Sequence, residues 1–270
     1  MINIFRKLII VTLLILITYL GFKTYQSAKE YESATNNIAL SCDANGLASE
    51  KIDELTSIIS LGLVKNQSRI ALDKLKSKQL MAKGESQTYL YYFMATLGVL
   101  LLILFSCDLR EATLGLSVVT LIALVYGLIN PILMVTIHKR VDYLGDVILS
   151  FESKGIIGSI IKLYESGELA VALTIFLFSL LLPLLKSLTL TFTLFFYQHR
   201  WSHGLVSFFK QIGKWSMIDV FVVATFLVYL TSNKGGVSHA EIQVGLYFFL
   251  IYVILSMITA ILTQKVLERA

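Results

Sequence analysis

Long apolar stretches separated by polar segments dominate the chain. A transmembrane helix needs about 20 mostly apolar residues, because the hydrocarbon core of a bilayer is about 30 Å thick. The stretches that meet this requirement are 5–22, 89–107, 112–137, 169–196, 216–233 and 242–263. The pattern therefore predicts an all-α integral membrane protein with six transmembrane helices.

Composition supports this fold class. Apolar residues make up 56% of the 270 residues and charged residues 15%, with a mean hydropathy of +0.75. Soluble domains have about 25% charged residues. The net charge of +5 comes without a run of basic residues, so it does not indicate nucleic-acid binding.

The first span indicates how the chain is oriented. Residues Leu8–Leu20 carry no charge and follow Arg6 and Lys7, a pattern that a cleaved signal peptide shares. We expect a retained signal anchor. Lys and Arg in the short loops are biased towards the side of the N-terminus, which predicts that both termini are cytoplasmic.

Residues 23–88 form the longest polar segment, on the extracytoplasmic side. Apolar residues at helical spacing, a break at 66–68 and a second periodic stretch predict a helical hairpin standing on the membrane. The hairpin is either a structural cap or a surface that docks a partner. The docking candidates are Ile52, Leu55, Ile59 and Leu63.

A second extracytoplasmic segment, 132–168, has a different pattern. β-favouring residues flank a turn signal at Asp142–Gly145, which predicts a small β-hairpin. The following residues 160–167 predict a short amphipathic helix at the membrane interface.

Motifs for enzymatic chemistry are missing from the sequence. Cys42 and Cys107 fall on opposite sides of the membrane in this topology, so no disulfide is expected. His199 and His203 lack a neighbouring carboxylate or thiol, and we predict no metal site and no cofactor. Without a nucleotide-binding or hydrolase motif, the protein is not expected to be an enzyme.

Polar residues within the fourth predicted span are candidates for function, because burying a charge in a membrane is costly. Ser179, Pro183 and Lys186 are spaced to share one helix face. Pro183 cannot bond the carbonyl of Ser179, which predicts a helix kink. Alternatively, Lys186 extends its ammonium group to the membrane surface.

Asp219, at the start of the fifth predicted span, is the second ionisable candidate. It forms a capping box with Ser216, pairs with Lys186 in a polar cavity, or does both. Thr259 in the last span is a weaker candidate, since threonine often bonds its own helix backbone.

Four segments of the chain resemble the paraquat-inducible protein A family. They are residues 130–135, 159–172, 178–186 and 213–224, and the last of these is the most specific. The resemblance covers about 112–265. It implies a bacterial inner-membrane protein with a tetraspan-like unit and a small extracytoplasmic sheet.

The resemblance also implies a function and partners. Members work with MCE-domain proteins, which carry lipids across the periplasm, and a polar network is thought to couple lipid movement to protons. Ser179, Lys186 and Asp219 match motif positions, whereas Thr259 is placed only by its span. The implied function is phospholipid transfer between the membrane and a periplasmic partner.

The chain also departs from the family pattern. Many members have two four-span units and zinc ribbons, whereas we expect a two-span module over 1–111 and one four-span unit over 112–270. A homodimer would restore two units. The alternative function is a membrane scaffold or assembly factor that docks an envelope complex through residues 23–88.

Overall fold

The computed structural model describes residues 2–41, 67–141, 145–195 and 238–268. Helices account for most of these residues, and three strands form one small sheet. In chain order the elements are α1 (Ile2–Ser41), α2 (Gln67–Phe105), α3 (Leu109–Ile129), β1 (Leu133–Val141), β2 (Gly145–Lys154), α4 (Ile156–Glu165), α5 (Leu169–Ile175), a π-helical turn (Phe176–Leu181), α6 (Leu182–Phe195), β3 (Ser238–Ile242) and α7 (Val244–Glu268).

Five described helical segments are long and apolar enough to cross a membrane. They are Ile4–Leu40, Asp73–Phe105, Leu109–Ile129, Leu169–Phe195 and Val244–Val266. They coincide with five of the six predicted spans and confirm a helical membrane protein. The remaining predicted span, 216–233, lies outside the described residues.

The N-terminal helices are longer than any span requires. Helices α1 and α2 pack against each other along their length, and each runs without interruption from its apolar half into its polar half. The described parts of the predicted hairpin, 23–41 and 67–88, are therefore continuations of two membrane helices. The predicted break at 66–68 coincides with the start of α2 at Gln67.

The third span ends earlier than predicted. Helix α3 stops at Ile129, and Asn130 adopts an extended conformation with a ψ of 150°. The residue before a proline is disfavoured in the helical region, so Pro131 accounts for this end. Residues 133–137, which were included in the predicted span 112–137, instead belong to β1.

The predicted β-hairpin is present and gains a third strand. Strand β1 pairs antiparallel with β2 on one side and with β3 on the other. The register shifts between Ile137 and His138, where β2 contains an extra residue. The amphipathic segment predicted over 160–167 is helical as part of α4, which begins earlier, at Ile156, and ends at Glu165.

One hydrophobic core joins the N-terminal helices to the rest of the chain. Phe93 of α2 and Phe248 of α7 are fully buried and meet edge to face with ring centroids 4.7 Å apart. Tyr126 of α3 donates a hydrogen bond of 2.8 Å to the Thr18 carbonyl of α1. The predicted boundary between 111 and 112 thus separates helices that share a core.

Two clusters of charged and polar side chains flank the apolar body. At one end, Glu111 accepts hydrogen bonds from Arg6 at 3.1 Å and Lys7 at 2.9 Å. At the other end, Glu241 pairs with Lys83 and accepts a hydrogen bond of 2.7 Å from Tyr31. We call these the proximal and the distal clusters.

The spacing of the two clusters suits a bilayer. Arg6 and Tyr31 lie 25 residues apart on α1, which is about 38 Å at 1.5 Å per residue. The hydrocarbon core is about 30 Å thick, and the headgroup regions bring the total to about 40–45 Å. The clusters therefore fit the two headgroup regions.

Candidate functional site

A π-helical turn interrupts the helix that carries Lys186. The Leu182 N–H donates to the Leu177 carbonyl, five residues earlier, instead of to the carbonyl four residues earlier. Pro183 follows directly and has no N–H to donate to Ser179. The predicted local disruption thus takes the form of a π turn, a feature that recurs at functional sites.

The candidates on this helix are buried. Ser179, Pro183 and Lys186 are all buried, and Lys186 as a whole is only 8% exposed. Burial of the whole residue disfavours the alternative in which its ammonium group reaches the membrane surface. Lys186 therefore places its amine inside the protein.

Ser187 adds a second polar group beside Lys186. It is 4% exposed, and its hydroxyl oxygen has no hydrogen-bond partner within the described part of the chain. A buried polar atom without a partner is uncommon and costs free energy. Ser187 is therefore a further candidate for binding a polar ligand group, and sequence analysis did not identify it.

Thr259 has a polar neighbour on another helix. Its hydroxyl donates to the Leu255 carbonyl at 2.7 Å, as is common for threonine within a helix. Its oxygen also lies 3.2 Å from the hydroxyl oxygen of Thr120 on α3. Both residues are at most 2% exposed, so this contact joins α3 and α7 inside the protein.

Thr120 and Thr259 belong to two rows of small hydroxyl residues. Positions 113, 117 and 120 share one face of α3, and positions 256, 259 and 263 share one face of α7. All six residues are buried. The spacing was visible in the sequence, but Ser and Thr also occur in ordinary transmembrane helix packing, where small residues permit close approach.

The helix of Lys186 packs against both hydroxyl-bearing helices. Helix α6 contacts α3 closely and α7 less extensively. Measured from the start of their membrane segments, Lys186 follows Leu169 by 17 residues and Thr259 follows Val244 by 15 residues. Lys186 and Thr259 therefore lie about equally far along neighbouring helices, about 26 and 23 Å from those starts.

The remaining predicted site residues lie outside the described ranges. These are Asp219 and the docking candidates Ile52, Leu55, Ile59 and Leu63. The ion pair between Lys186 and Asp219 thus stays a prediction. Among the residues that are described, no three His, Cys, Asp or Glu side chains group as metal ligands would.

The arrangement can bind a polar group inside an apolar body. It offers a buried amine, small hydroxyl groups and a helix whose hydrogen-bond ladder is interrupted.

Comparison with known proteins identifies relatives of the C-terminal part. The family model described as paraquat-inducible protein A matches residues 110–267. An Escherichia coli K12 protein named intermembrane transport protein PqiA is 30% identical over 111 residues, covering 39% of this chain and 26% of that protein. A Haemophilus influenzae protein named probable intermembrane transport protein is 28% identical over 100 residues, covering 35% and 24%.

The matches leave much of each protein unaligned. The aligned part of this chain spans about a quarter of the length of these relatives. No solved structure matches the chain. The family match includes Ser179, Lys186 and Thr259 and covers more than half of the chain, which therefore belongs to the paraquat-inducible protein A family.

Proposed function

We propose that the protein is an inner-membrane subunit of an MCE-type lipid transport system. It moves phospholipid between the membrane and a periplasmic partner. The observation that carries this proposal is the burial of Lys186 on a helix with a π turn, packed against two helices with buried hydroxyl groups. Relatives named intermembrane transport proteins support it.

In this proposal the polar residues act together. Lys186 binds the phosphate of a lipid headgroup or exchanges a proton. Asp219 serves as its counter-charge, and Ser179 and Thr259 supply neutral hydrogen-bonding groups. Coupling of lipid movement to protons follows if Lys186 changes protonation during each cycle.

The partner would meet the distal end of the N-terminal helices. Both termini are cytoplasmic in the proposed topology, so α1 and α2 extend into the periplasm. From Gln67 to Lys83, α2 continues for 16 residues, about 24 Å, beyond the distal cluster. An MCE-domain protein would dock there, with Ile52, Leu55, Ile59 and Leu63 in the contact, and a homodimer would bring two four-span units together.

The test compares two lysine substitutions in the full-length protein. We expect Lys186→Met to reduce transfer of radiolabelled phospholipid between the membranes of the source bacterium to the rate of a strain lacking the protein. Lys265→Met is the matched control, because Lys265 is exposed in the last turn of α7. Transfer at the wild-type rate in Lys186→Met, with normal membrane insertion, would contradict the mechanism.

The alternative function is a scaffold that docks another envelope complex. The observation in its favour is the length of α1 and α2 beyond the membrane, which transport alone does not require. A scaffold would tolerate Lys186→Met but lose function when 23–88 is replaced by a neutral linker.

A further inference from the structure

A cleft of about 100 Å³ lies beside the distal cluster, away from Lys186 and the hydroxyl rows. One wall is the part of α2 from Lys83 to Met94. The other wall is formed by the end of β3 and the start of α7, including Glu241 and Tyr247. The cleft therefore lies between the N-terminal helices and the four-span unit.

The upper part of the cleft carries a charge pair held in place by further contacts. Lys83 and Glu241 form an ion pair in which both side chains are about one third exposed. Tyr31 donates to the second carboxylate oxygen of Glu241 at 2.7 Å, and its ring lies 6.0 Å from the Lys83 ammonium. Tyr31 is only 4% exposed, so this hydrogen bond ties the Glu241 carboxylate to a buried side chain.

The lower part of the cleft is apolar and open. Tyr91, Met94 and Tyr247 line it and are 68%, 44% and 44% exposed. Tyr91 and Met94 follow Lys83 by 8 and 11 residues, so they lie about 12 and 17 Å closer to the membrane centre.

The cleft also lies at the depth of a lipid headgroup. Lys83 precedes Phe105, the end of α2, by 22 residues, or about 33 Å. This distance slightly exceeds the hydrocarbon thickness of about 30 Å. The charge pair is therefore at headgroup depth, and the apolar wall extends along the acyl chains.

We propose that this cleft binds one glycerophospholipid whose headgroup carries both a phosphate and a primary amine. The Lys83 ammonium donates to the phosphate, and the lipid amine donates to Glu241. The lipid thus supplies one opposite charge to each partner, and no net charge is added to the site. One acyl chain lies along Tyr91, Met94 and Tyr247.

The proposal concerns binding at a site separate from Lys186, so it can be tested independently of transport. The full-length protein is placed in nanodiscs of phosphatidylglycerol containing a small fraction of phosphatidylethanolamine with a photoreactive acyl chain. After illumination, the labelled peptides are identified by mass spectrometry. We expect label on the peptides that contain Tyr91, Met94 or Tyr247.

Two substitutions address the two halves of the cleft. Lys83→Met removes a charge-assisted hydrogen bond, and we expect labelling of these peptides to fall about tenfold. The control, Lys78→Met, removes an exposed lysine from the same helix and leaves labelling unchanged. Met94→Trp fills the apolar part without altering the ion pair, so it lowers labelling even if Lys83→Met disturbs folding.

Two results would overturn the proposal. Labelling of Met94→Trp at the wild-type level would show that the cleft is not the binding site. Equal labelling by a photoreactive phosphatidylglycerol, which lacks the amine, would overturn the assignment of the headgroup. Loss of transport in Lys186→Met bears on neither result.

Discussion

Gly127 determines how closely α3 and α7 approach each other. A Cβ atom at this position would lie 2.9 Å from the backbone nitrogen of Phe249, closer than real Cβ contacts allow. The same interface contains the contact between Thr120 and Thr259. The absence of a side chain at Gly127 thus positions the buried hydroxyl groups.

This close approach predicts the effect of adding one methyl group. Gly127→Ala forces α7 away from α3, and we expect it to lower stability by about 1–3 kcal/mol, as overpacking does. Gly98→Ala is the control, because its Cβ would meet nothing within 4 Å and alanine favours helix. Thermal unfolding of both variants in nanodiscs checks this, and equal unfolding temperatures would contradict the packing argument.

At the residue scale, the sequence draws attention to a residue that breaks the pattern of its surroundings. Lys186 was identified because a charge interrupts an apolar span, and the structure confirms that it is buried. Ser187 and Thr120 were missed because Ser and Thr fit a membrane helix equally well as packing residues. Only the contact with a neighbouring helix distinguishes Thr120, and a single sequence does not contain that pairing.

At the scale of elements, the π turn is the most informative feature. Proline inside a helix normally costs about 3 kcal/mol through a lost hydrogen bond and a clash with the preceding turn. Here the additional residue in the turn before Pro183 shifts the hydrogen-bond pattern, as the bond from Leu182 to Leu177 shows. The turn also sets the orientation of Ser179 relative to Lys186.

Replacing this proline tests whether the turn has a function. Pro183→Ala restores an N–H that can donate to Ser179, which favours a regular helix and rotates the preceding segment by about 100°. We expect unchanged or higher thermal stability and reduced phospholipid transfer. Leu185→Ala, at an exposed position of the same helix, is the control. Wild-type transfer in Pro183→Ala would show that the turn is not needed.

The elements that the sequence did not predict have weak local signals. Strand β3 has only five residues and includes the charged Glu241, so its pattern does not indicate a strand. Pairing with β1 makes it one. Pro131 indicates that α3 ends early. The residues after it are apolar, however, and the prediction therefore extended the span through them.

At the scale of the whole molecule, the proximal and distal clusters hold the N-terminal helices to the rest of the described chain. Glu111 contacts α1 near one end of the apolar body, and Glu241 contacts α1 and α2 near the other. Between them, Phe93 and Phe248 pack in a shared core. The N-terminal helices therefore form part of the molecule's body as well as extending beyond it.

The sequence predicted the spans but not this association. Apolar length alone determines which segments can cross a membrane, so five spans were found correctly. Which helices pack together depends on shape and on contacts between distant residues, such as Tyr31 with Glu241. Those contacts form only in the folded chain and produce no periodic pattern in the sequence.

The central claim is that the protein serves phospholipid transport with an MCE-domain partner. Affinity purification from native membranes, with bound proteins and lipids quantified by mass spectrometry, tests this claim most directly. We predict co-purification of an MCE-domain protein together with phospholipid enriched above its level in the bulk membrane. A different envelope complex accompanied only by bulk lipid would contradict transport and identify the protein as a scaffold.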